Sequence, residues 1–315
     1  MEDLVIGVDL GATNIKVGLV TADGRILSRR RLGTEVREGP GAVAGRICRA
    51  CRELVSMTES APGRVLGAGV GCPGSVDSAS GVLRFWPNVP DWRNVPLRRM
   101  IEDELGMRCV MDNDANVAAL AEQWVGTGKG ASSLVVLTLG TGIGAGIVLN
   151  GRVRRGGNGA AGEVGHMSIN PRGPLCSCGN RGCLQVYAGA TAMVRRMREA
   201  IEAGARTSLA DRKDELTAEL IHKAALAGDE ASRRNIEQTG RYLGVGVSNL
   251  MHILNPQVIA FSGGLTAAGE MLMAPLRDEV KCRTLEACRR DTRVSFAALL
   301  DDAGVIGAAR CFMIG

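Results

Sequence analysis

Two stretches of the chain follow one plan. In "LVIGVDLGATNIKVGLV", starting at Leu4, an apolar strand ends at Asp9, a glycine turn follows, and an alternating run extends from Ile15 to Val20. Asp23-Gly24 then signals a two-residue hairpin. In "SLVVLTLGTGIGAGIVLNGRVRRG", starting at Ser133, the same pieces return: a strand, a glycine turn from Gly140 to Gly146, a second strand and an Asn150-Gly151 hairpin. Strand, turn, strand and hairpin recur roughly 130 residues apart, which predicts a duplicated α/β domain. Each glycine turn leads into a strand and not a helix. That excludes a Walker A loop and a Rossmann turn, which both open a helix. Two such turns, facing each other, would offer backbone N–H groups and the hydroxyls of Thr13 and Thr141 to a polyphosphate.

The chain has 315 residues, enough for two domains with cores of their own. Aromatic residues make up only 3% and glycines number 43, so those cores must be built from Val, Leu, Ile and Ala. No apolar run reaches about 18 residues, the length a membrane span requires. "MEDLVIGVDLG" has acidic residues before its apolar run and no small-residue cleavage site, unlike a secretory signal. The expected location is therefore cytoplasmic. The net charge is +5, but the arginines are scattered, as in "RRRL", "LRRM" and "MVRRMREA". These read as solvated faces, so neither nucleic acid nor a membrane is an expected partner. Ten cysteines without a secretory signal point to a reducing compartment. Cys72 and Cys109 read as core residues, and Cys48, Cys51, Cys282, Cys288 and Cys311 lie in helical segments without companion histidines.

Helices are expected at 41–57, 189–203, 217–227 and 230–254, and another in "LRRMIEDELG", closed by Gly106. "RCVMDNDAN" reads as a strand whose end delivers polar residues, with Asn116 placed to cap the helix that follows. A carboxylate at a strand end suits a general base, and Asp112 and Asp114 both qualify. Alternation puts Asn113 on the side opposite to both unless the strand has already ended, so the residues alone do not choose between them. Asp9, before the first turn, could hold Mg²⁺ directly or through water. Asn14 and Lys16 sit nearby, Lys16 in an alternating run that could equally point it to solvent.

"CSCGNRGC" packs Cys176, Cys178 and Cys183 into eight residues, and His166 lies ten residues upstream in "GEVGHM". Three cysteines and one histidine are the composition of closed, tetrahedral structural zinc sites, which keep no water to activate. Free thiols, or one disulfide with an odd cysteine, are the alternatives, and a reducing cell disfavours the disulfide.

"DLGATNIKVGL", "DNDANVAALAE", "LGTGIGAGIVLNG", "GEVGHM", "CSCGNRGCL" and "FSGG" occur in this order along nearly the whole chain. Together they resemble the ROK family (repressor, open reading frame, kinase), and most of all its bacterial glucokinases. The resemblance implies an actin-like ATPase (ribonuclease-H-like) fold, with two α/β domains around an interdomain cleft. They would span 1–116, joined by the terminal helix 305–315, and 117–304 with the zinc loop. It also implies transfer of phosphate from ATP, with Mg²⁺, to a hexose, glucose to glucose 6-phosphate. On that match Asp114 is the general base, and Asn113, Asp114, Gly74, Asn88, Glu163 and His166 meet the sugar. Asp9, Gly11, Thr13, Asn14, Lys16, Gly140, Thr141, Gly142 and Gly144 attend the nucleotide phosphates, and Gly263 and Gly264 its adenosine side. The family places a structural zinc on His166, Cys176, Cys178 and Cys183, so that one ring nitrogen of His166 is held and the other faces the sugar.

One position departs from the family. After the cysteines the usual reading is G-C-x-E, with the Glu on the sugar, and here Gln185 stands there. Gln loses the charge and gains a donor, which leaves open kinases for N-acetylmannosamine, N-acetylglucosamine or another hexose. Some family members are sugar-sensing repressors with a helix-turn-helix domain ahead of the first glycine unit. A first strand beginning by Leu4 leaves no place for one, so an enzyme is expected. A homo-oligomer, dimer or tetramer, is expected as well.

Overall fold

The computed structural model describes residues 2–57, 63–87 and 89–315. It divides into two units, one of Met1–Ser132, Gly146–Ala161 and Ala297–Gly315, the other of Ser133–Ala145 and Gly162–Phe296. The first sheet runs in the order Ile26–Gly33, Asn14–Thr21, Glu2–Leu10, Gly63–Cys72, Cys109–Asn113. Its first three strands are antiparallel neighbours, and the last two run parallel to Glu2–Leu10. The second sheet has the order Arg152–Val153, Ile143–Leu149, Ser133–Leu139, Val258–Ser262, Arg293–Phe296. It repeats the plan, a hairpin at one edge and two parallel strands at the other. The duplication expected from the glycine units is a duplication of topology. Among the described residues no helix is long and apolar enough to cross a membrane.

In the first unit the strand Glu2–Leu10 is buried on both faces. Leu4, Ile6 and Val8 meet Val43, Ile47 and Leu54 of the helix Pro40–Ser56 in one core, while Val5 and Val20 pack with Val305, Ala309 and Phe312 in another. A fully buried side chain of this size contributes about 1.5–3 kcal/mol. The second core exists because the C-terminal helix, Ala303–Ile314, lies flush on the sheet. A Cβ on Gly7 would stand 2.0 Å from the Val305 carbonyl oxygen, and one on Gly69 1.8 Å from that of Ala308. Only glycine admits the helix backbone there.

Two local readings change in the structure. The second glycine turn is shorter than expected, because the strand already begins at Ile143, so Gly144 and Gly146 are strand residues. The helix after "DNDAN" begins at Asp114, and its cap is Asn113, whose side chain accepts from the N–H groups of Ala115 and Asn116. Asn116 is buried inside that helix and caps nothing. The strand ends one residue before Asp114, so the strand alternation stops there.

Candidate active site

The junction of strand Cys109–Asn113 and helix Asp114–Trp124 separates the two candidate carboxylates. Asp112 is 2% exposed and fully engaged. Its Oδ2 accepts Arg155 Nε at 2.8 Å and lies 2.6 Å from Arg155 Nη2. Its Oδ1 accepts Asn113 N–H at 2.7 Å and Asn116 Nδ2 at 2.9 Å. Asp114, two residues on, accepts the N–H of Ala115 at 2.8 Å, and among the described residues no cation pairs with it. The residue is exposed, yet protein crowds around its carboxyl. The protein around it strips water from the carboxyl, and the like charge of Asp9 adds to that, so its pKa is pushed up to about 6. Hydrogen bonds from Ala115 and Asn113 oppose the rise without cancelling it. Asn113 Nδ2 donates to the Gly74 carbonyl at 2.9 Å, and Gly74 takes φ +84° with its Cα against the Phe85 carbonyl. Asn88 lies outside the described residues.

The first glycine turn is held by a residue that the sequence did not single out. Buried Thr34 donates its hydroxyl to the Gly11 carbonyl at 2.7 Å, and its N–H bonds the Thr13 carbonyl at 3.0 Å. Thr13 is left exposed at the tip and Asn14 half-buried. Lys16 does not simply point to solvent. It stands opposite Asp9 across the strands, with Nζ 3.6 Å from Asp9 Oδ2 and 3.4 Å from Asp301 Oδ1. The Asp9 carboxylate lies against Gly304, near the start of the C-terminal helix, and burial raises its pKa despite Lys16. It is a hard oxygen donor with one loose ion pair, which fits an Mg²⁺ ligand.

In the second unit Gly140 and Thr141 line a pocket of about 410 Å³ together with Gly264 and Leu265. Gly263, at φ +93°, packs against the end of Ser133–Leu139, where a Cβ would stand 2.3 Å from the Leu139 carbonyl oxygen. The two glycine segments therefore share one wall. The rest comes from helices, and the residues they supply, Met193, Glu219, His222 and Leu272 among them, were not singled out in the sequence. The walls are mostly apolar with a few polar groups, which suits a flat heteroaromatic ring. Gly142, at the other end of the turn, lies against Gln185.

The four metal-ligand candidates converge. One donor atom each from His166, Cys176, Cys178 and Cys183 lies within 4.8 Å of all the others. Cys178 and Cys183 have their sulfurs 3.7 Å apart, and His166 Nδ1 is 3.7 Å from Cys176 Sγ. Zinc–sulfur bonds of about 2.3 Å at a tetrahedral angle separate two sulfurs by about 3.8 Å, so the set fits zinc. His166 Nε2 points the other way, 3.9 Å from Glu163 Oε2. Gln185 Nε2 donates to Cys176 Sγ at 3.3 Å. Burial raises the Cys176 thiol, but hydrogen bonds from Cys178 and Gln185 outweigh it and leave it at about 6, so this sulfur carries thiolate character.

The sequence profile of the ROK family matches residues 5–313. The chain belongs to the ROK family. A glucokinase of Thermotoga maritima is 39% identical over 308 residues, 97% of this chain and 96% of that protein. The crystal structure of a ROK family glucokinase from Streptomyces griseus, in complex with glucose and AMPPNP, superposes with a TM-score of 0.80 at 33% identity, covering 99% of this chain and all of that one. A xylose repressor of Caldicellulosiruptor bescii is 31% identical, and the match covers 96% of this chain and 76% of the repressor. The family's fold is the actin-like ATPase fold, which agrees with the two sheets of equal topology.

Proposed function

We propose that this protein is a hexose kinase that transfers the γ-phosphoryl group of ATP to glucose, giving glucose 6-phosphate and ADP. One observation carries the reading: of the two carboxylates in "DNDAN", Asp112 is used up by Arg155, and Asp114 is left ionisable and open to solvent beside Asn113. The high identity to a glucokinase supports it. In the first unit Asp114 takes the proton of the attacking sugar hydroxyl as its oxygen forms the new bond to the γ-phosphorus. The bond from that phosphorus to the β,γ-bridging oxygen breaks, and ADP leaves. Asn113, held by Gly74, orients the sugar, and backbone N–H groups of the first glycine turn meet the phosphates. Asp9 is the carboxylate that would hold Mg²⁺. When bound, Mg²⁺ offsets the phosphate charge, which is most of what phosphoryl transfer requires. In the second unit the pocket beside Gly140, Thr141 and Gly264 takes the adenosine. Glu163 and the free Nε2 of His166 are sugar ligands.

A structural zinc on His166, Cys176, Cys178 and Cys183 pins the loop that presents His166 and Gln185. Because the Gln185 amide donates to Cys176, one of its two N–H bonds is engaged at the sulfur. Oε1 and the remaining N–H are left for the sugar. A carboxylate at this position would accept more strongly from sugar hydroxyls and would repel an N-acetyl carbonyl, so Gln here binds glucose more weakly than Glu and tolerates an N-acetyl carbonyl better. A coupled ADP-release assay over glucose, mannose, N-acetylglucosamine and N-acetylmannosamine, with ATP or polyphosphate as donor, tests the reading. Turnover on none of the four removes it.

A further inference from the structure

Arg155 leaves the edge hairpin of the second glycine unit, and nothing in its sequence context "VRRGGNG" marks it out. Its guanidinium nevertheless reaches 43 positions back along the chain, to Asp112. Nε and Nη2 converge on one carboxylate oxygen at 2.8 and 2.6 Å, and that carboxylate is 2% exposed. The other oxygen holds Asn113 by its N–H and Asn116 by its side-chain amide. Asn113 in turn caps the helix whose first residue is Asp114. Arg155 also closes the loop behind it, since Ala161 N–H bonds the Arg155 carbonyl at 3.0 Å. Cys311 of the C-terminal helix lies beside the same guanidinium.

We infer that Arg155 is a positioning residue: by neutralising and clamping Asp112 it sets the register of the junction that aims Asn113 and Asp114. The inference rests on the reading of Asp114 as the general base. Without the guanidinium, Asp112 is a buried charge with no cation. It must either take a proton, which weakens Oδ1 as an acceptor, or turn away, and both routes loosen the two bonds to Asn113 and Asn116. Misplacing a reacting group by about 1 Å costs about 100-fold in rate. A variant that keeps its fold should therefore lose turnover.

The test uses Arg155→Met, Arg155→Lys and the neutral pair Asp112→Asn/Arg155→Met, with kcat, KM for each substrate and Tm measured on each. Arg155→Met is expected to lower kcat about 10- to 100-fold and raise the sugar KM through Asn113, leaving the ATP KM within about twofold. Arg155→Lys keeps the charge and should recover part of kcat. If Arg155→Met does not fold, the neutral pair carries no lone charge and should keep its Tm while kcat stays low. A merely structural role predicts the opposite split, a lowered Tm with wild-type kcat and KM below the transition. Wild-type kcat and sugar KM in any folded variant without the guanidinium overturns the inference. Asp114→Asn separates the two readings: wild-type turnover there removes the base itself, whereas lost turnover there with an unaffected Arg155→Met removes only the positioning role.

Discussion

Asp114 occupies the first turn of a helix, where the macrodipole favours negative charge, yet burial and the neighbouring Asp9 push its carboxyl up to about 6. The ordinary value is 3.8. Between those two values the folded protein keeps a proton that the unfolded chain has released, so this group's contribution to stability falls as pH rises through that window. Asp114→Asn is thus expected to have a higher Tm than the wild type at pH 7.5, with the gap closing below about pH 4. The same variant should lose about 10²- to 10⁴-fold in kcat, the range typical of a missing general base. In the wild type kcat/KM should decline as pH falls below about 6, and Asp114→Asn should flatten that limb. An unchanged pH profile, or a lower Tm with full activity, would assign Asp114 to structure. Asp112 and Asp114 are the same residue type two positions apart, and only their partners tell them apart. Arg155 is distant in sequence, which is why the residues alone left the choice open.

The metal loop and the C-terminal helix are the two elements on which the candidate site leans most. Cys178→Ser should release the metal at unit stoichiometry and raise the sugar KM, because His166 and Gln185 lose their anchor, while ATP affinity stays close to that of the wild type. Metal analysis together with binding of each substrate checks this, and an active, zinc-free preparation removes the zinc reading. The C-terminal helix depends on missing side chains. In Gly69→Ala the new methyl carbon meets a backbone carbonyl at 1.8 Å, and overpacking of this kind costs about 1–3 kcal/mol, or more where the neighbour is backbone and cannot give way. Gly106→Ala is the comparison. It has open space around it but φ +68°, so only a backbone cost of about 1–2 kcal/mol applies. Urea unfolding should rank Gly69→Ala below Gly106→Ala, and the reverse order would place the helix off the sheet. The candidate metal ligands were legible because three cysteines and a histidine stand close together in the sequence. The contacts of Gly7 and Gly69 were not, because a glycine in a strand looks the same whether a turn, a ligand or a helix needs it.

For the whole molecule, ligand binding is a stability measurement. A sugar that binds only the folded protein stabilises it by about 2.7 kcal/mol at a hundred times its Kd. Glucose should raise Tm progressively with concentration, and N-acetylglucosamine should do so if Gln185 accepts the acetyl group. A Tm that ignores glucose at millimolar concentration would count against the proposed substrate. We also expect a homo-oligomer in solution, and light scattering that reads the mass of a single chain would exclude it.

The sequence by itself determined the duplicated strand-turn-strand plan, the family, and the residue types able to hold a phosphate, a proton and a metal. All of these are local: hydrophobic alternation, glycine at turns and close ligand spacing act over a few residues. The sheet order, the same in both halves, pairs strands far apart in the chain and was not legible there. The tertiary structure decided what depends on residues far apart in the chain. It showed that Asp112 is spent on Arg155, that Thr34 holds the first turn, and that Lys16 turns to Asp9 and Asp301. It also showed that Gln185 meets a cysteine sulfur, and that helix residues such as Met193 and His222 complete the pocket begun by two glycine turns. The partner of a charge or a donor is set by packing, and packing brings together side chains whose sequence separation carries no signal.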